Sequence, residues 1–190
     1  MSSLKRLTVR KLITYFGTLP CVLIPVAALA VVRYLLLGDG VLTILYTTLI
    51  IISIGLSYGI GSFVKLVFFK ARPHPQEFTT RREKIEAGSF PSIHTANATI
   101  ILGFSFVLFV ESMQAMQTTG TGYPLAFLAI IMIALLFYSM IGLSRVVLKK
   151  HFPADVRRGT AFGLIITCVV IRQAPLIGSI LDFFFHLGLS

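Results

Sequence analysis

A chain of 190 residues fits one domain better than two. Hydrophobic residues make up 56% and charged residues 13%, with a mean hydropathy of +0.89, which is more apolar sequence than a soluble core needs and suits several membrane spans. The net charge of +10 sits in short basic clusters between apolar runs, so it speaks for membrane orientation or anionic headgroups and against nucleic acid. Cys21 and Cys168 both fall inside apolar runs, form neither a disulfide framework nor a zinc site, and read as buried packing residues.

A spanning helix needs roughly 20 mainly apolar residues. The pattern predicts about five spans, at 12–37, 41–69, 95–110, 124–143 and 159–180. The fold class is therefore an all-α transmembrane bundle, with residues 1–190 as a single domain. Lys5, Arg6, Arg10 and Lys11 precede the first run as they would in a signal peptide. That run is too long for a simple signal core and a second span follows at once, so it reads as an uncleaved helix. Pro20 and Pro25 are expected to kink it, and Arg33 lies near enough to its end to snorkel. A tight turn at Gly38-Asp39-Gly40 leads into the second span, where Gly55 and Gly59 allow close helix contact. Polar loops are expected at 70–90 and 111–123. Arg172 and Pro175 interrupt the fifth run, which is either one kinked span or a span followed by a sixth, interfacial helix. No period-two alternation suggests a membrane barrel.

Five spans put the N-terminus, the 70–90 loop and the 144–158 segment on one face. Nearly all Lys and Arg residues fall there, and only Arg33 and Arg172 lie towards the other face. The positive-inside rule places that basic face in the cytoplasm.

Three polar groups gather on the basic face. Lys65 and Arg72 are seven residues apart, nearly two helical turns, and can project from one side of a helix. A lysine inside an apolar run is costly unless it has a task, although an anchoring lysine would snorkel there too. Ser92 and His94 precede the third span, where a hydroxyl and free backbone N–H groups make an anion site, or Ser92 is a plain helix cap. Ser144 and Arg145 are followed by His151 and Asp155, whose four-residue spacing would bring them side by side on a helix. A carboxylate on one imidazole nitrogen leaves the other free for attack. Each group alone has a bland reading. Together, three cations, a hydroxyl and two histidines on one face suit nucleophilic displacement at a phosphoryl group.

The order Lys65-x6-Arg72-Pro73, Pro91-Ser92-x-His94 and Ser144-Arg145-x5-His151-x3-Asp155 resembles the type 2 phosphatidic acid phosphatases, the lipid phosphate phosphatase superfamily. The resemblance runs from the second span to the start of the fifth. It implies that Lys65, Arg72, Arg145, Ser92 and the backbone N–H of Ile93 hold the phosphate. It also implies that His151 attacks phosphorus to give a phosphohistidine, that Asp155 orients His151, and that His94 protonates the leaving oxygen and later activates water. No metal or other cofactor is expected, because the cations supply the positive charge. The family usually has glycine where this chain has Ile93, a β-branched residue that resists positive φ and adds bulk beside the site. His74, Lys149 and Lys150 read as solvated loop residues.

The function this implies is hydrolysis of a phosphomonoester or terminal pyrophosphate of a membrane lipid. Phosphatidylglycerophosphate, phosphatidic acid, polyprenyl diphosphate and lipid A phosphates all remain open. A lipid phosphotransferase using the same site is the alternative, and a headgroup-binding transporter a third reading that has no need for His151 and Asp155. The expected partners are the phosphorylated lipid and the bilayer, with no nucleic acid. The expected location is the cell (inner) membrane, as a multi-pass protein. Bacterial relatives commonly face the periplasm, whereas the charge bias here favours a cytoplasmic site and hence phosphatidylglycerophosphate or phosphatidic acid.

Overall fold

The computed structural model describes residues 19–74, 77–120 and 123–187. Among these are seven helices: α1 Leu19–Leu37, α2 Gly40–Val67, α3 Arg81–Ala87, α4 Ile93–Thr119, α5 Pro124–Val147, α6 Pro153–Arg172 and α7 Ala174–Leu187. An isolated bridge between Ala71 and Gly88 is the one extended pairing among the described residues. The first seven residues of the first expected span, and the basic cluster before it, lie outside the described residues.

Helices α2, α4 and α5 are each long and apolar enough to cross a membrane, and α6 with α7 forms a further pair bent by 53°. The chain is an integral membrane protein. Helix α1 contributes the shorter apolar stretch Val22–Leu37. Pro20 falls in its first turn, where the missing N–H is tolerated, and Pro25 lies inside it. The bend between α6 and α7 falls at Gln173, just ahead of Pro175, so the last run is a helix pair and not one straight span.

Helix α4 is the axis of the bundle and packs against α1, α2, α5 and α6. Burial follows from that place: Ile100, Phe104 and Leu108 are fully enclosed, whereas α5 turns Leu125, Ile133, Leu136 and Val147 outward. Outward apolar side chains suit hydrocarbon and would be a liability in water. Small residues let the helices close on α4. A methyl group added at Gly163 would lie 2.5 Å from the carbonyl oxygen of Ala96, so α6 touches the α4 backbone there.

The far end of the bundle, away from the basic loops, is tied by buried polar contacts. Gly38 takes φ +71°, and Asp39 caps α2 by accepting from the N–H of Leu42 at 2.9 Å. Arg33 does not snorkel. It is 3% exposed, donates to Thr43 Oγ1 at 2.9 Å and pairs with Glu111 at 3.4 Å. Glu111 explains a second departure from expectation. Read as the start of a polar loop, it is instead an internal residue of α4, which runs on to Thr119 because its carboxylate meets Arg33. Cys168 is exposed on α6, not packed inside, and the side chain of Cys21 lies outside the described residues.

Gly163→Ala is expected to destabilise the bundle by roughly 1–3 kcal/mol, the usual cost of overpacking. Thermal unfolding in detergent should show the loss, and Gly55→Ala, with open space around it, should show none.

Candidate active site

The three polar groups meet at the end of the bundle where α2 and α5 finish and α4 and α6 begin. They arrive by routes other than those their spacing suggests. Lys65 lies in the last turn of α2 and is 5% exposed, but the helix stops at Val67. Arg72 is therefore on the following loop and not on the same helical face as Lys65. The loop turns back because Ser89 closes it: its N–H donates to the carbonyl of Lys70 at 2.8 Å, and its hydroxyl to the carbonyls of Lys70 and Ala71 at 3.1 Å. Arg72 is thereby returned to the field of Lys65, Arg145 and His151.

Ser92 caps α4 in position, yet its side chain makes no capping bond and instead pairs with the hydroxyl of Thr95 at 2.9 Å. The N–H groups of Ile93, His94 and Thr95 are thus left without intrahelical acceptors, as at any helix start. They form an anion cradle that the helix dipole reinforces. Ile93 keeps its N–H in that cradle and adopts negative φ, so its β-branched side chain meets no backbone penalty. Its bulk points elsewhere. A methyl group added at Gly61 of α2 would lie 2.8 Å from Ile93 Cγ1, which shows that Ile93 fills the space left by Gly61. On the α6 side, a methyl group at Gly159 would lie 2.5 Å from the carbonyl oxygen of Ser92, so α6 fixes the cap from behind.

Arg145 and His151 are locked together by the way α5 ends. Leu148 caps the helix and Lys149 takes the left-handed conformation at φ 53°. The N–H of Lys149 donates to the carbonyl of Val146 at 2.9 Å and that of Lys150 to the carbonyl of Arg145 at 3.0 Å, the Schellman pattern. The N–H of His151 reaches the same Arg145 carbonyl at 3.1 Å. Arg145 is 2% exposed and His151 3% exposed, so both are held inside the protein.

His151 and Asp155 do not form the expected helical pair. Pro153 opens α6, and the residue before a proline is driven to extended backbone, as Phe152 shows with φ −77° and ψ 153°. His151 is therefore on the loop, not one turn from Asp155. Its Nδ1 is bonded by the backbone carbonyl of Ser89. A carbonyl only accepts, so Nδ1 carries the proton and Nε2 keeps its lone pair. The Asp155 carboxylate is fully buried and is engaged elsewhere: Lys70 Nζ at 2.6 Å and the N–H of Phe152 at 3.2 Å. Lys70 also lies over the Phe152 ring at 4.6 Å. The Nδ1 partner expected to be Asp155 is thus the Ser89 carbonyl, and Asp155 ties the 70–89 loop to α6. Neither Lys70 nor Ser89 stood out in the sequence. A backbone acceptor leaves no signature in residue type.

Burial is the main reason that the pKa of His151 drops from 6.5 to about 3, with the charges of Lys65, Arg72 and Arg145 acting in the same direction against the Ser89 bond. The ring is neutral at neutral pH. Burial also lowers the pKa of Arg72, against the pull of Glu86. Lys150 is half-buried, not simply solvated, and its pKa falls through burial first and then through Arg145 and Arg72. Lys149 and His74 are exposed. His94 is half-buried and feels Arg145, His151, Lys65 and Lys150 together. Lys65, Arg72, Arg145, His94 and His151 therefore act on one another electrostatically beside the α4 N-terminus. Among the described residues no group of three or more His, Cys, Asp or Glu side chains could hold a metal ion.

A neutral imidazole and converging cations thus meet at one end of a bundle whose helices are long and apolar enough to cross a membrane. The chain belongs to the PAP2 superfamily, whose sequence profile matches residues 46–178. Its fold is similar to the crystal structure of a transmembrane PAP2-type phosphatidylglycerolphosphate phosphatase from Bacillus subtilis, with a TM-score of 0.61 at 21% identity over 90% of this chain and 77% of that one. No curated protein matches the sequence at a significant level.

The packing of Ile93 on Gly61 has a direct test. Gly61→Ala should lower activity by pushing Ile93 and the α4 cap out of place, and Ile93→Gly in the same chain should restore most of it. The imidazole has another. Its pKa is 6.5 in the unfolded chain and about 3 when folded, so the unfolded state binds the proton first as pH falls. The stabilising contribution is complete above 6.5 and is lost progressively towards about 3. His151→Gln should therefore flatten the acid side of a plot of thermal midpoint against pH.

Proposed function

We propose that this chain is a lipid phosphatase that hydrolyses a phosphomonoester or terminal pyrophosphate through a phosphohistidine, without a metal ion. The carrying observation is the state of His151: Nδ1 is bonded to the Ser89 carbonyl, the ring is neutral, and three cations act on it. Nε2 attacks phosphorus in line with the leaving lipid oxygen. Lys65, Arg72 and Arg145 hold the non-bridging oxygens with the N–H groups of α4, and their charge stabilises the transition state more than the ground state. With the phosphate bound and its charge offsetting the surrounding cations, His94 takes up a proton and gives it to the leaving oxygen, which departs as the lipid alcohol. The same ring then takes a proton from water, which attacks the phosphohistidine, releases orthophosphate and restores His151. Acid–base help of this kind contributes roughly 10²–10⁴ in rate. No Lewis acid is needed in this scheme, since the cations do the neutralising.

The reading makes residues 1–190 one catalytic domain in the inner membrane, with its lipid arriving from the surrounding bilayer. Arg81, Arg82, Arg157 and Arg158 are exposed around the pocket end of the bundle, and among the described residues the opposite end has only Arg33 and Arg172. This bias supports a cytoplasmic site. It supports phosphatidylglycerophosphate or phosphatidic acid as substrate, and the first of these is the lipid named for the structurally similar Bacillus subtilis enzyme.

Phosphate release by the purified chain should be measured across phosphatidylglycerophosphate, phosphatidic acid, polyprenyl diphosphate and lipid A, with and without EDTA. Release without an added acceptor, insensitive to EDTA and abolished in His151→Ala, is the expected result. Turnover that appears only with a second alcohol would identify a phosphotransferase instead. Turnover equal in wild type and His151→Ala would remove the nucleophile.

A further inference from the structure

One helical turn deeper than the pocket, buried polar atoms collect that no protein partner satisfies. Ser57 Oγ, both amide atoms of Asn97, and Nε and Nη2 of Arg145 all lack a hydrogen-bond partner. Ser57 and Asn97 are 0% exposed and Arg145 is 2% exposed. These residues lie together. α2 and α4 run antiparallel in a register marked by Gly61 against Ile93 and by the Tyr46 hydroxyl donating to the Phe104 carbonyl. That register puts Ser57 opposite Asn97. The Tyr58 phenol lies within reach of the Asn97 side chain, and the Arg145 charge acts on the same phenol. Arg145 belongs here by helix geometry as well, because side chains lean towards the N-terminus of their helix, which in α5 means inward from the pocket.

Packing does not call for asparagine at this place. A leucine has the same branched outline with more bulk, enough to fill the place of an amide and a bound water, and would leave no unpaired amide in a membrane-level interior, where such a group is costly. An amide kept at that cost, three residues beyond His94 on the same helix, points to a polar ligand. A water molecule fits the chemistry, since it needs about three polar partners and the cluster offers donors and acceptors on several sides.

We propose that Ser57, Tyr58 and Asn97 form an internal water site beneath the phosphate pocket, and that Asn97 is a positioning residue that holds the Arg145 guanidinium through that water. This rests on the reading of the pocket as a phosphate site. Arg145 has five N–H donors in a rigid fork and a phosphate uses two of them. The water site takes up the remaining side and stops the guanidinium from swinging away when phosphate leaves.

The test uses the purified full chain in detergent and compares wild type with Asn97→Leu and Ser57→Ala. Three quantities are read: KM for the lipid, the inhibition constant of orthophosphate, and the thermal midpoint. In Asn97→Leu, KM and the inhibition constant should rise together by about tenfold, equivalent to about 1.4 kcal/mol. The thermal midpoint should stay level or rise, because an unpaired amide has been removed. Ser57→Ala should move the two constants in the same direction by a smaller factor. Unchanged constants in both variants would overturn the proposal. So would a midpoint that falls in step with phosphate affinity, which would mark Asn97 as a packing residue. Should Asn97→Leu fail to fold, Ser57→Ala decides alone. If orthophosphate does not inhibit the wild type, the phosphate reading itself fails and the water site falls with it; inhibited wild type with unaltered variants leaves the parent reading intact.

Discussion

Lys65, Arg72 and Arg145 share one pocket at the membrane face, and their mutual repulsion is the constraint around which the site is built. Each is partly or wholly withdrawn from water, and each acts electrostatically on the others. Two like charges held close in a medium of low dielectric repel by kilocalories, and desolvation adds to that. The buried carboxylate of Asp155 is engaged by Lys70, and Glu86 acts on both Lys65 and Arg72. On the proposed reading, a phosphate dianion would offset that repulsion, and the same charge would serve both binding and the transition state.

Such a site needs a rigid frame, and the frame is made from helix ends. The pocket lies where α2 and α5 stop and α4 and α6 start, so each functional group sits within a few residues of a fixed terminus. The Schellman turn after α5 gives the Arg145 carbonyl two donors, Lys150 and His151, so the guanidinium residue and the imidazole share one anchor. Lys149 supplies the left-handed residue where glycine is usual, which a lysine adopts at some cost. Ser89 does the same on the other side of the imidazole, closing the loop and holding Nδ1 at once.

The apolar runs, the charge bias and the order of the three polar groups were all readable from residue types alone, because hydrocarbon and phosphate each demand particular chemistry. What failed was the inference from spacing to helical faces. Arg72 and Lys65 suit a helix by number, but α2 ends at Val67. His151 and Asp155 suit i,i+4 spacing, yet Pro153 between them already forbids a helix through Phe152. That signal was present in the sequence and outweighs the spacing. The end of α4 was missed for a different reason. Glu111 reads as a loop residue until Arg33, 78 positions earlier, is seen to meet it. The fit of Ile93 over Gly61 is likewise a contact between distant positions, invisible without the fold.

The exchange of partners between His151 and Asp155 changes how this site is assembled. With a carboxylate on Nδ1, the imidazole would carry a charged orienter, and the proton on Nδ1 would be shared with a base. A backbone carbonyl fixes the tautomer without adding charge, so it leaves the positive field of the pocket undiminished. The displaced carboxylate is spent on Lys70, which fastens the 70–89 loop to the start of α6 and so places Ser89 where its carbonyl meets the ring. Asp155 therefore acts on His151 at one remove, through Lys70 and the loop, while its charge still acts on Lys65.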